Sequence, residues 1–140
     1  MDPECANVNR TIDAYAALYE RRDLDGLVSL LDPEARGFGT GADEVAADPQ
    51  EFRQAVARDF AQAEAATIAF TERRCTVSGD VAWVMGAARF AFRTDGGDDT
   101  LDGRFTAVLR RQDGVWRFAQ FHFSVPYRAQ APGASWPGAS

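Results

Sequence analysis

The sequence predicts an α+β fold, with helices first and a meander of antiparallel strands afterwards. Apolar residues recur at helical spacing through the first sixty residues or so, and from Thr67 the pattern turns extended. The stretch Gly103 to Pro126 reads G-R-F-T-A-V-L-R-R-Q-D-G-V-W-R-F-A-Q-F-H-F-S-V-P. In it, two runs rich in Val, Leu, Phe and Trp flank Asp113-Gly114, a dipeptide that favours a tight hairpin. Both faces of this ribbon carry large side chains. One face packs on helices, and the other needs a second cover, most simply another copy of the chain.

The first helix starts at Asp2-Pro3, and Val8, Ile12, Tyr15 and Tyr19 form its apolar stripe. Asp23 caps a short second helix carrying Leu24, Leu27, Val28 and Leu31, which Pro33 stops. Gly37, Gly39 and Gly41 punctuate a loop that lacks the Lys-Ser/Thr of a phosphate loop. Asp48-Pro49-Gln50-Glu51 opens a third helix whose stripe is Phe52, Val56 and Phe60. Strands are expected near 67–77, 80–93, 100–111 and 115–125, with turns at 78–80, 95–98 and 113–114. Residues 1–127 read as one domain, and 128–140 as a Pro/Gly/Ala-rich tail in which Trp136 is the one residue able to dock.

With 140 residues the chain has one domain's worth of core, and its net charge of −6 argues against nucleic acid as a partner. All 15 basic residues are Arg, so Schiff-base and lysine-base chemistry are excluded. Cys5 and Cys75 lack metal-site spacing and read as reduced thiols of a cytoplasmic protein. With a single His, no multi-histidine metal site is available, and no metal or cofactor is expected. There is no leader pattern and no apolar run near 18 residues, so no membrane association is expected.

Strand alternation sorts the candidate residues. Phe105, Ala107 and Leu109 share one face with Ala119, Phe121, Phe123 and Val125, and this face should look towards the helices. Arg104, Thr106, Trp116, Phe118, His122 and Ser124 lie opposite, as a mixed aromatic and polar homodimer interface. His122 and Ser124 are one pleat repeat apart, too far for a nucleophilic pair, so His122 reads as an interface or core histidine. Tyr15 and Tyr19 either present phenols to a cavity or pack as core tyrosines. Arg89 is either an anchor for an acidic ligand or a solvated strand end. Asp43 and Glu44 offer carboxylates at a possible cavity mouth.

The segments D-G-V-W-R-F-A-Q-F-H-F-S (113–124), G-R-F-T-A-V-L-R-R (103–111), A-W-V-M-G (82–86) and G-F-G-T-G-A-D-E (37–44) resemble SnoaL-like members of the nuclear transport factor 2-like superfamily. The D-G-x-W and the strand after it also resemble the association domain of calcium/calmodulin-dependent kinase. The resemblance covers roughly residues 4–127. It implies a cone-shaped roll: three helices in a strongly curved, mainly antiparallel sheet. Set against the superfamily's steroid isomerases, Asp23-Leu24-Asp25-Gly26 is matched and Tyr15 falls at their helix-1 Tyr. Their base falls near Gly39 and their protonated Asp near Phe105 to Val108, where this chain has no acid. The arginines of the kinase association domain's pocket correspond to about Met85, Ala107 and Phe123, which implies a greasier pocket here.

The expected protein is therefore a homodimer with an apolar pocket for a small, mostly apolar molecule, lined by Tyr15, Tyr19, Phe60, Trp83, Met85, Arg89, Phe105, Phe121 and Phe123. One alternative is a cyclase, isomerase or hydratase using Tyr15 with Asp43 or Glu44. The other is a non-catalytic assembly module, its cavity packed shut by Trp83 and Met85.

Overall fold

Local signals set the helices in the computed structural model, which describes residues 2–139. Helix α1 spans Glu4–Glu20, with the Asp2 carboxylate accepting from the Glu4 amide at 2.8 Å. Its buried stripe is Cys5, Val8, Ile12, Tyr15 and Tyr19. Asp23 accepts from the Gly26 amide at 2.9 Å to start α2 (Leu24–Ser29). Asp48 does the same for Glu51 at 2.8 Å to start α3 (Pro49–Gln62), whose stripe is Phe52 and Val56. Each cap satisfies an amide that the helix itself cannot.

Strands β1 (Leu31–Phe38), β2 (Val45–Ala46), β3 (Ala65–Ser78), β4 (Val81–Thr94), β5 (Gly97–Gln112) and β6 (Val115–Ser124) form one sheet, in the order β2-β1-β6-β5-β4-β3. All neighbours are antiparallel except β1 and β6, which run parallel. The sheet is strongly curved and not closed, and its concave side holds the helices, as expected for a cone-shaped α+β roll. The β5–β6 turn follows its residues: Asp113 (φ 53°) and Gly114 (φ 77°) both take positive φ, which a two-residue hairpin of this hand requires.

Four expectations need correction. Residues 31–38 are a strand, not a helix end and a loop. Pro33 sits at an irregularity in the β1–β6 register, and small Ala35 and Gly37 face inward where bulky strand formers were sought. A β-carbon on Gly37 would stand 2.2 Å from the Phe121 carbonyl oxygen, so the strand tolerates nothing larger there.

A second correction follows from a bulge in β6. Leu109 faces Phe118 while Val108 faces Gln120, so Ala119 is the extra residue and alternation inverts across it. Trp116 and Phe118 therefore point to the helices, at 4% and 6% exposure, and not to an outer interface. The Trp116 indole donates to Glu4 at 2.6 Å, and the Phe118 ring lies 5.7 Å from that of Tyr15.

Third, β4 turns its even-numbered residues inward: Ala82, Val84 and Ala88 are buried. Trp83 (49% exposed) and Met85 (58%) face outward, as does Arg89, which lies 3.5 Å from Asp102. Space explains it. A β-carbon on Gly86 would meet the Phe105 ring at 2.8 Å, so the inner side admits only small residues at mid-strand.

Fourth, Cys5 and Cys75 are bonded to each other, with Cα atoms 6.0 Å apart, tying the start of α1 to β3. Beyond β6, residues 125–139 form only turns and bends, and Trp136 is exposed. No helix of the described residues is long and apolar enough to cross a membrane.

Candidate functional site

Helix α1 puts Tyr15 and Tyr19 one turn apart on its inner stripe, with ring centroids 6.2 Å apart. On α3, Asp59 follows Val56 by three residues and so lies beside the stripe, facing α1. The Tyr19 hydroxyl donates to Asp59 Oδ2 at 2.9 Å. Phe60 packs behind this pair, 5.2 Å from the Tyr19 ring, with the Arg22 guanidinium over its other side.

A cavity of about 280 Å³ opens beside these groups. Its polar wall is Tyr15, Tyr19, Asp59, Gln62 and the loop residues Thr40 and Glu44. Ile68, Phe90, Phe92, Leu101 and Phe123 from β3 to β6 make its apolar wall. A smaller recess of about 60 Å³ runs on past Asp59 and Glu44 to Phe52 and Phe121. Glu44 is held in place by the Gly41 amide and by the Thr40 hydroxyl at 3.4 Å.

Burial lifts the Asp59 carboxyl above the usual carboxylate range; the nearby Glu44 adds to this, while the Tyr19 hydrogen bond and Arg58 partly oppose it. Burial, and then the charge of Asp59, push both tyrosines well above a free phenol, so they act as hydrogen-bond donors. Tyr15 is only 5% exposed, and its hydroxyl has no hydrogen-bond partner among the described residues. Yet among the described residues no fully sealed side-chain polar atom is left unpartnered, so that hydroxyl opens onto the cavity. A base of raised affinity for protons beside an unengaged donor is a chemical arrangement, not only packing.

Of the residues expected at the pocket, Tyr15, Tyr19 and Phe123 line it directly. Phe60 backs Tyr19. Phe121 lines the recess, and Phe105 is buried below it against Phe70, 4.8 Å away. Trp83, Met85 and Arg89 are on the other side of the sheet. Among the expected carboxylates, Glu44 reaches the cavity, while Asp43 turns out to Arg58 at 2.8 Å. Asp59, Phe90 and Phe92 were missed. The three-residue step from Val56 was a signal for Asp59, and the even set of β4 was one for the two phenylalanines.

Arg104, Thr106, His122 and Ser124 lie on the outer face of β5 and β6, along a groove of about 910 Å³ shared with Arg74 and Met85. The His122 ring lies 5.2 Å from Phe38. No group of three or more metal-ligating side chains stands together among the described residues.

Comparisons with known proteins agree on the architecture. A family model described as a SnoaL-like domain matches residues 8–128. No curated protein matches the chain in sequence. A solved dehydratase candidate of the NTF2-like family from Streptomyces avermitilis is similar at 20% identity and TM-score 0.82, over 91% of this chain and 99% of that one. A candidate calcium/calmodulin-dependent protein kinase II association domain from Xanthomonas campestris is similar at 19% identity and TM-score 0.81, over 91% of each chain. A ketosteroid isomerase-like protein from Erwinia carotovora atroseptica is similar at 17% identity and TM-score 0.76, over 91% of this chain and 99% of that one. At such identities the likeness is one of fold.

Proposed function

The chain belongs to the SnoaL-like domain family, and from that premise we propose that it binds one small, mostly apolar molecule in the cavity and moves a proton on it through Asp59. The observation that carries this reading is the Asp59–Tyr19 pair, at 2.9 Å, in the wall of an otherwise mostly apolar cavity. Burial makes the Asp59 carboxylate a better base than one in water. Once a proton has left a carbon next to a C=O group, the electron pair moves onto the carbonyl oxygen as an enolate, and the free Tyr15 hydroxyl is the donor placed to meet it. The same pair can return the proton elsewhere, as an isomerase does, or let a leaving group depart, as a dehydratase does. Names of both kinds occur among the similar structures. The assembly-only alternative loses its main support, because Trp83 and Met85 point away from the cavity they were expected to fill.

The outer face supports a second part of the reading, a homodimer. Val81, Trp83 and Met85 stand exposed in a row on β4, beside Arg104, Thr106 and His122 on the neighbouring strands. Such an apolar row on a sheet face suits a subunit contact. The paired cysteines remove the reduced thiols on which a cytoplasmic location was expected.

Native mass spectrometry of protein from its own host tests the binding. The wild type should carry a small molecule under gentle conditions and lose it on denaturation. Ala66→Trp, which fills the cavity from β3, should be empty. An empty wild type, or the same adduct on Ala66→Trp, would contradict the reading.

A further inference from the structure

We propose that the molecule taken by this cavity carries a protonated amine at its polar end, held between Glu44 and Asp59; this rests on the binding reading above. The lining contains two carboxylates and no Arg, Lys or His. The guanidinium that meets Glu44 is that of Arg58, at 3.8 Å, and it is already bonded to Asp43 at 2.8 Å. With Asp43 sharing Arg58, the two lining carboxylates keep the polar end net negative, and a carboxylate or phosphate on the ligand would meet repulsion that Arg58 offsets only in part.

The rest of the wall suits a cation. Tyr15, Tyr19, Phe90, Phe92 and Phe123 place five aromatic rings around one small space. Aromatic faces attract ammonium groups, and more strongly where water is excluded. The Tyr15 hydroxyl, buried and without a partner, has lone pairs free to accept an N–H. Glu44 is the fixed charge partner, because the Gly41 amide and the Thr40 hydroxyl hold its carboxylate at the mouth. Asp59, bonded to Tyr19, is the second charge at this end, and as a base it takes a proton only from a carbon that a carbonyl of the ligand activates. The apolar body of the ligand then lies among Ile68, Phe92 and Leu101.

Three probes of matched shape separate the possibilities: 2-phenylethylamine, 2-phenylethanol and 3-phenylpropanoate, titrated at neutral pH by ligand-observed NMR. The amine should bind the wild type at least about ten-fold more tightly than the alcohol, and the propanoate should bind weakest. Glu44→Gln keeps an oxygen for the Gly41 amide and removes the charge. It should bring amine and alcohol to within about two- to three-fold, while alcohol binding persists. Asp102→Asn removes a charge on the outer face and should leave the amine preference unchanged. If the alcohol binds and the amine does no better, the amine proposal fails and the cavity reading stands. If none of the three binds, both fail. Propanoate binding as tight as the amine's would also overturn the proposal.

Discussion

The Tyr19 hydroxyl on α1 and the Asp59 carboxylate on α3, 2.9 Å apart, join the two helices at the point where the cavity begins. The bond is one of two influences that lower the affinity of Asp59 for its proton, against burial and Glu44, which raise it. Tyr19→Phe should therefore move the Asp59 titration midpoint further up. It should also destabilise the fold by about 1 kcal/mol, the usual net worth of such a bond. Carboxyl carbon NMR and urea unfolding read the two effects; a midpoint that falls would contradict the assignment.

Asp59 also sets a pH dependence. Because its folded-state affinity for a proton is raised, the folded chain binds that proton more tightly than the unfolded one. Its contribution to stability is thus full below the unfolded value, about 3.9, and is lost as pH rises through the folded one. Asp59→Asn should flatten that part of the stability curve and gain on the wild type as pH climbs towards neutral. Unfolding by urea between pH 4 and 8 tests this, and equal slopes in both proteins would count against it.

Asp32 behaves in the opposite sense. It is 1% exposed, and burial alone would raise it. The two Arg110 hydrogen bonds at 2.7 and 2.9 Å, the Glu34 amide and the charges of Arg110 and Arg117 outweigh burial and hold it below the usual range. Its stability contribution is present above about pH 3.9 and fades as pH falls through the lower folded value. The two partners are not equivalent, since Arg110 remains part-exposed and also meets Glu34 at 3.3 Å. Arg110→Met, which strands a buried carboxylate, should cost about 3–5 kcal/mol, and Asp32→Asn distinctly less. Equal losses in chemical unfolding would refute the asymmetry.

The Cys5–Cys75 bond closes a loop of sequence separation 70. Reduction, or Cys5→Ala with Cys75→Ala, should lower stability by about 2–5 kcal/mol without abolishing the fold. Melting with and without reductant measures the loss, and an unchanged melting temperature would mean the thiols are not joined.

On the outer face, Trp83→Glu with Met85→Glu should leave the fold of the chain intact by circular dichroism, because both side chains are exposed on the single chain, while the melting temperature falls by the share that dimerisation adds. The pair should convert a dimer to a monomer in sedimentation. A wild type that sediments as a monomer would remove the interface.

The sequence carried most of the frame, because caps, turns and periodicity are local. Asp23 and Asp48 cap where their sequence places them, and Asp113-Gly114 turns where it should. What it hid depends on distant contacts. The short reach between β4 and its neighbours favours Ala82, Val84 and Gly86 on the inner side, and so sends the conspicuous Trp83 and Met85 outward. The extra residue at Ala119 shows only in the pairing, yet it decides where Trp116 and Phe118 point. Strand β1 lies in a segment whose Pro, Gly and acids argue against a strand until Arg110 arrives to pair Asp32. Of the cavity, Tyr15, Tyr19, Glu44 and Phe123 were legible, while Asp59 needed the packing of α3 against α1 to gain meaning.

The most direct test of the account is the titration of Asp59 in the wild-type protein, followed through its carboxyl carbon, with Asp59→Asn to assign the signal. The account predicts a midpoint above the ordinary aspartate value of about 3.9. A midpoint at or below that value would mean that burial does not outweigh Tyr19 and Arg58 at this carboxylate, and the proposed base would be gone.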